Sequence, residues 1–222
     1  SSELGNQAFR KTLNGPYEQL MPRYAHSSVM ATTTNGSVLA LTAYLVDGSP
    51  DRAFYFSGSG PAVELPSVAG ETSTVPWAVS DVDGSILVVG QTGTLYSWKP
   101  FMWLSGDATK TILPPLGVRT KGAAACAAGW PKVKMIGGYL QSTSSDRKAV
   151  LWLPDGDGGL VARDVQQLVV AAGFPLGALK LTEVTSLSPD GKWLLTEVVD
   201  NPTSPTICQA IVLNLWYSTP LG

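Results

Sequence analysis

The chain has 222 residues and a mass of 23.4 kDa, with 44% hydrophobic and only 14% charged residues, against roughly a quarter charged in an average soluble protein. That length and apolar content exclude a disordered chain and are enough to bury a sizeable core. A net charge of −2 with no run of either sign excludes the basic stripe of a nucleic-acid binder and the polybasic anchor of a membrane-surface protein. No window of 18 consecutive apolar residues occurs, so no segment reads as a membrane-spanning helix.

In chain order, residues 1–22 read as a partial unit. A strand, Gln7-Ala8-Phe9-Arg10-Lys11, is followed by a short apolar close, Tyr17-Glu18-Gln19-Leu20. Residues 29–66 hold a full unit. Ala31-Thr32-Thr33-Thr34-Asn35-Gly36-Ser37-Val38-Leu39-Ala40 reads as a hairpin turning on Asn-Gly, and a strand at Arg52-Ala53-Phe54-Tyr55-Phe56 and a close at Ala62-Val63-Glu64-Leu65 follow. Residues 77–114 repeat the plan, turning on Asp83-Gly84 before Phe101-Met102-Trp103 and Thr111-Ile112-Leu113. Residues 123–163 do so with a degenerate turn at Gly129-Trp130-Pro131, then Ala149-Val150-Leu151-Trp152 and Leu160-Val161-Ala162-Arg163. A helix is expected at 164–172, with Asp164 as N-cap, Gln167 reaching back as in a capping box and Gly173 at the left-handed C′ position. Residues 183–216 complete the series, with a Ser188-Pro189-Asp190-Gly191 turn and the strand Gln209-Ala210-Ile211-Val212-Leu213.

The aligned strands begin at Ala8, Ala53, Pro100, Ala149 and Ala210, and the last interval is the longest because the helix is inserted in it. Asn35-Gly36 and Asp83-Gly84 recur at the interval of the first four strands, so two independent markers share one period. Asn-Gly and Asp-Gly between apolar runs are strong hairpin signals. Four antiparallel strands repeated every ~40–50 residues are the signature of a β-propeller blade. The expectation is therefore an all-β chain, 1–222, forming a single small β-propeller of four to five four-stranded antiparallel blades with one short helix. A β-sandwich is the runner-up, and it leaves the shared period unexplained. Two endings fit the sequence equally: the N-terminal strands complete the C-terminal blade, which removes a free sheet edge, or the chain is the last part of a longer propeller.

The residue types present exclude much chemistry. The single histidine, His26, lies in Tyr24-Ala25-His26-Ser27-Ser28 with no nucleophile-elbow motif anywhere, and reads as a loop or strand-edge residue. No CxxC, HxH or HExxH supplies a metal site, and no nucleotide-binding glycine motif occurs. Asp155-Gly156-Asp157-Gly158-Gly159 is a weak calcium candidate through Asp155 and Asp157, and a solvated hairpin loop is the simpler reading. Asn35-Gly36-Ser37 fits a glycosylation sequon but is explained by the turn. No cofactor is expected. Seven tryptophans are present; Trp103 and Trp152 share a repeat position and read as core. Trp77, Trp98 and Trp130 fall outside that position, near prolines or loops, and are the candidate binding residues, since an exposed Trp stacks on a sugar face or anchors a protein interface.

The turn Val79-Ser80-Asp81-Val82-Asp83-Gly84-Ser85-Ile86-Leu87-Val88-Val89-Gly90, followed by a Pro-Phe-x-Trp strand, resembles the HAF-type extracellular repeats of bacterial secreted proteins. Ser188-Pro189-Asp190-Gly191-Lys192-Trp193-Leu194 is similar to the SPDGK turn of TolB-type propeller blades. The resemblance implies a propeller in a periplasmic or secreted, hence extracytoplasmic, setting, with any leader removed, and carries no catalytic residues. In that compartment Cys126 and Cys208 are a candidate disulfide between consecutive units, closing a loop of roughly 80 residues for about 2–4 kcal/mol; two separate buried thiols are the alternative.

The functional expectation is a non-enzymatic binding or scaffolding module, an accessory subunit docking on other protein subunits. A lectin-like propeller binding carbohydrate is the alternative, although the loops at 43–51, 90–99, 138–148 and 198–207 do not recur as equivalent sugar sites would. Less favoured is a hydrolase using channel carboxylates drawn from Asp81, Glu183 and Glu197.

Overall fold

The computed structural model describes residues 7–11, 15–44, 51–82, 84–94, 97–128, 135–143, 146–199 and 208–214. It begins with a hairpin of β1 (Phe9–Lys11) and β2 (Tyr17–Gln19). The first sheet runs β3 (His26–Thr32), β4 (Val38–Tyr44), β5 (Arg52–Ser57) and β6 (Val63–Glu64) in that spatial order. The second runs β7 (Ser73–Val82), β8 (Ser85–Thr94), β9 (Ser97–Leu104) and β10 (Thr111–Ile112). The third comprises β11 (Lys121–Ala128), β12 (Met135–Gln141), β13 (Lys148–Pro154) and β14 (Leu160–Asp164). After helix α1 (Val165–Ala171) the fourth sheet has three strands, β15 (Lys180–Leu187), β16 (Trp193–Val199) and β17 (Cys208–Asn214). Each strand pairs antiparallel with its sequence neighbour. The five segments aligned in the sequence are β1, β5, β9, β13 and β17, the third-strand position of each unit. Among the described residues no helix is long and apolar enough to cross a membrane.

Alternation along the strands sends successive side chains to opposite faces, and the core divides accordingly into four layers, one per junction. Ala8 and Leu20 of the hairpin pack on Leu41, Phe54 and Phe56 of the first sheet. Val38 and Ala53 of that sheet meet Ile86, Val88, Phe101 and Trp103 of the second. Leu87, Val89 and Met102 face Ile136, Leu140, Val150 and Trp152 of the third. Ala149 and Leu151 then face Leu181, Val184, Leu194 and Val198 of the fourth, with Val165 and Val169 of α1 packed beside them. The first strands of successive sheets are neighbours, β3 with β7, β7 with β11 and β11 with β15. Trp103 and Trp152 are buried, and their indole N–H groups donate to Asp107 O (3.1 Å) and Pro114 O (2.8 Å).

The first-to-second-strand turns show why the Asn-Gly and Asp-Gly markers recur. In the first sheet Asn35 Oδ1 accepts from Ser37 N (3.0 Å) and Thr33 Oγ1 (2.8 Å), while Thr33 Oγ1 accepts from Val38 N (3.0 Å). In the fourth, Asp190 Oδ1 accepts from Lys192 N (3.1 Å) and Ser188 Oγ (2.7 Å), and Ser188 Oγ accepts from Trp193 N (2.9 Å). Gly36 and Gly191 both sit at φ 68°, which glycine adopts freely. These are one turn built twice. The degenerate turn of the third unit, with Trp130, lies outside the described residues.

Helix α1 forms where expected. Asp164 Oδ1 accepts from Gln166 N and Gln167 N, Gly173 takes φ 87°, and Phe174 N donates to Val169 O in a Schellman closure. The side chain that reaches out from its first turn is that of Gln166, whose Oε1 accepts from Leu181 N (3.3 Å).

Two expectations are corrected. Among the described residues the N-terminal strands do not complete the last unit: β1–β2 is a two-stranded sheet packed on the first, and β17 pairs with β16. Burial of Ala8, Leu20 and Met21 against Leu41, Phe54 and Phe56 fixes the hairpin there. Among the described residues the sheets are one two-stranded hairpin, three of four strands and one of three, matching the partial first unit, the three full units and a last unit without a clear fourth strand that the sequence offers. The Cys126–Cys208 bridge is not formed either. Cys126 is a free, buried thiol whose sulfur contacts Val184 O (3.8 Å), and burial pushes its pKa up to about 12. The reason is placement: Val184 lies on β15, whereas Cys208 lies on β17, on the far side of β16. Two strand spacings exceed the reach of a disulfide.

Candidate functional site

Each of the four first strands carries a β-bulge at an equivalent point. The extra residues are Met30, Trp77, Ala125 and Thr185, which recur with the period of the repeat, the last interval again lengthened by α1. A bulge leaves one residue out of the ladder and re-aims its side chain. In the second and third sheets glycine on the facing strand permits it. A Cβ on Gly90 would lie 2.1 Å from Val75 O, and one on Gly138 would lie 2.1 Å from Ala123 O.

Three of these bulge residues, Trp77, Ala125 and Thr185, line one open cleft of about 380 Å³ where the second, third and fourth sheets meet. Gln91 of β8, Tyr139 of β12, Glu183 of β15 and Arg147, immediately before β13, supply its polar wall. Trp77 is 40% exposed although it stands in mid-strand. The guanidinium of Arg147 lies 3.7 Å from the centroid of the Tyr139 ring and is ion-paired with the Glu183 carboxylate. Stacking and pairing together fix a side chain that would otherwise sample many rotamers. The cleft thus offers a flat apolar indole, two carboxylate oxygens, a guanidinium edge and an amide, with the two formal charges cancelled inside the wall.

Of the expected binding residues, Trp77 lies in this cleft. Trp98 is half-buried on β9 opposite Gly93 and does not line it, and Trp130 is outside the described residues. Of the expected carboxylates, Glu183 is in the wall with Arg147 as partner. Asp81 stands at the turn end of β7, where it accepts from Ser37 Oγ (3.3 Å). Glu197 is the register partner of Glu183 and accepts from Thr182 Oγ1 (3.1 Å). Asp155 serves its own loop, accepting from Asp157 N (3.0 Å) and Gly159 N (2.9 Å). No group of three or more His, Cys, Asp or Glu side chains suited to a metal occurs among the described residues. His26 lies at the start of β3, edge-on to the Tyr44 ring at 5.9 Å.

Arg147, Tyr139, Gln91 and Thr185 escaped the sequence reading. Thr185 stands one repeat after Ala125, at the same point of the unit, but nothing in the sequence marks that point as a bulge. The other three carry no local signal, since cross-sheet stacking alone brings them to the cleft.

A second polar cluster is structural. The Lys110 ammonium, 1% exposed, reaches Glu71 Oε1 (2.5 Å) and Thr74 Oγ1 (2.7 Å) and lies 5.3 Å from the centroid of the Phe101 ring. Burial alone would raise the Glu71 carboxyl. The hydrogen bonds from Lys110, Thr74, Val68 N–H and Thr92 outweigh it and hold the group below its ordinary value.

No family model and no curated protein matches the chain. Among solved structures, the chain is similar to dipeptidyl peptidase 4 of Porphyromonas gingivalis, with a TM-score of 0.47 and 10% identity over 91% of this chain and 34% of that one. The chain therefore spans about a third of the length of the structure it matches.

Proposed function

We propose that the stacked sheets are blades of a β-propeller and that the chain is a non-catalytic, extracytoplasmic binding module that docks on a larger protein assembly through the cleft. The observation that carries this reading is Trp77. It is lifted out of the ladder by a bulge and half-exposed beside an ion pair closed within the wall. An exposed indole ringed by polar groups is the usual form of an interface anchor. A self-neutralised Arg147–Glu183 pair gives orientation without demanding a charged ligand.

The carbohydrate reading has one point in its favour, the indole face beside Gln91 and Glu183. Against it, the equivalent bulge positions hold Met30, Ala125 and Thr185, so the site does not recur from blade to blade. The test is native mass after mild extraction from the source, compared between wild type and Trp77→Ala. Co-migration with a defined partner that Trp77→Ala weakens at least tenfold supports docking. A protein that migrates as a free monomer sinks it, and a glycan array then tests the alternative.

A further inference from the structure

The turn between β3 and β4 carries Asn35-Gly36 at its exposed tip, where the equivalent turn of the fourth sheet carries Asp190-Gly191. Among the described residues, every hydrogen bond of the Asn35 side chain goes to Oδ1, to which Ser37 N (3.0 Å), Ser37 Oγ (2.7 Å) and Thr33 Oγ1 (2.8 Å) donate. Three donors on one amide oxygen draw electron density from Cγ and favour negative charge on that oxygen. The adjoining nucleophile is the main-chain nitrogen of Gly36. Nothing lies within 4 Å of the place a Cβ on Gly36 would take, so no side chain crowds that nitrogen. The bond that opposes attack runs from Gly36 N–H to Thr33 O (2.8 Å). It closes an exposed turn, where local opening costs little.

We propose that Asn35 is a self-modification site, at which the turn converts asparagine into aspartate with water as the only co-reactant. The Gly36 nitrogen loses its proton to solvent and forms a bond to Asn35 Cγ. The bond from Cγ to the side-chain nitrogen breaks and ammonia leaves, closing a succinimide. Water then adds at Cγ, the bond from Cγ to Gly36 N breaks, and that nitrogen regains its proton beside a new carboxylate. No oxidant or reductant takes part. The product is a turn the fold already uses, because Asp190 Oδ1 accepts from Lys192 N (3.1 Å) and Ser188 Oγ (2.7 Å) as Asn35 Oδ1 does from Ser37 N and Thr33 Oγ1. What changes is charge. Ser37 Oγ also donates to Asp81 Oδ2 (3.3 Å) at the turn end of β7, so the new carboxylate shares one hydroxyl with an existing one. The modification thus sets like charges across the junction of the first and second sheets and loosens it. It concerns neither Trp77 nor the cleft, so its failure leaves the docking proposal standing.

The purified protein is held in mildly alkaline buffer at 37 °C and sampled over weeks by tryptic digestion and mass spectrometry. The fragment 24–52 contains Asn35 as its single asparagine and no glutamine. It should gain the mass of an amide exchanged for an acid, while isoelectric focusing of the intact protein shows an added negative charge. Ser37→Ala removes one donor to Oδ1 and should slow the gain roughly three- to tenfold, the weight of a single hydrogen bond. Asn35→Asp, the product made directly, should keep the circular dichroism of the wild type and melt about 1–3 °C lower at low salt, a deficit that Asp81→Asn removes. A fragment that keeps its mass overturns the proposal. So does a Ser37→Ala fragment that converts faster, because the donors would then guard the amide. An Asn35→Asp protein that melts with the wild type overturns the loosening of the junction.

Discussion

Lys110 and Glu71 form a buried pair that holds the loop before β7 to the close of the second sheet. An ion pair out of water contributes little net stability, but removing one partner strands the other. Lys110→Met should therefore cost about 3–5 kcal/mol in urea denaturation, and the double variant Lys110→Met/Glu71→Leu should cost less than that single change. The Glu71 carboxyl is held below its ordinary value of 4.5 when folded. A depressed folded pKa means that the unfolded state binds the proton more readily. Its stabilising contribution is then complete above pH 4.5 and fades as pH falls further. Asp146 acts in the same direction. Burial would raise it, but the Ser142 hydroxyl, the Thr143 and Ser142 N–H groups and Arg119 hold it at about 2 against an ordinary 3.8. Denaturation midpoints followed from pH 6 down to pH 2 should decline in the wild type, and more shallowly below pH 4 in Asp146→Asn.

At the scale of the element, the bulges and the helix are the features with local causes. Gly137 and Gly138 lie side by side on β12 and serve opposite neighbours. A Cβ on Gly138 would strike Ala123 O of the adjoining strand, and one on Gly137 would come within 2.6 Å of Val184 Cγ1 in the next sheet and 2.8 Å of the Sγ of its register partner Cys126. Gly137→Ala is therefore an overpacking change at a sheet-on-sheet junction, expected to cost about 1–3 kcal/mol by thermal melting. Asp164 both caps α1 and pairs with Lys148 Nζ (2.6 Å). Asp164→Ala should lose about 1–2 kcal/mol, more than Lys148→Ala, since the cap is lost only in the former. The strands, their order, the helix and its cap were legible in the sequence, because apolar alternation, Asp-Gly turns and an Asp…Gly-x-Pro frame act over a few residues. The bulges were not. A bulge is decided by the mismatch between two strands, and the glycine that admits it lies on the partner strand.

For the whole molecule, the four core layers make stability a matter of nearest neighbours, as in other repeat proteins. Amide exchange should be slowest in β8 and β12, which have strands on both edges and a packed layer on each side. It should be much faster in β1–β2, a two-stranded sheet, and in β17, which among the described residues is a sheet edge. The way the ends behave was the part of the architecture the sequence could not supply. Strand alternation predicts which residues share a face, but the hairpin's attachment to the first sheet depends on Ala8 and Leu20 finding Phe54 and Phe56, which lie a full repeat further along the chain. The same holds for the cleft. Trp77 stood out by its place in the repeat, whereas Arg147 became part of the site only because the β12–β13 pairing set Tyr139 against it and stacking brought Glu183 of the next sheet beside it.

The layer between the third and fourth sheets contains a thiol, and this gives the molecule a built-in gauge. Cys126 is sealed between Gly137 and Val184 with its pKa raised to about 12, so a thiol reagent at neutral pH finds neither access nor thiolate. Alkylation can proceed only during the moments when the last sheet lifts away. In a Cys208→Ser background, the labelling rate divided by that of a free thiol therefore reads the equilibrium for detaching a single sheet while the rest stays folded. Gly137→Ala, which crowds that layer, should raise the rate. Lys110→Met, two sheets away, should leave it nearly unchanged, and equal acceleration by both would show that the chain opens only as a whole.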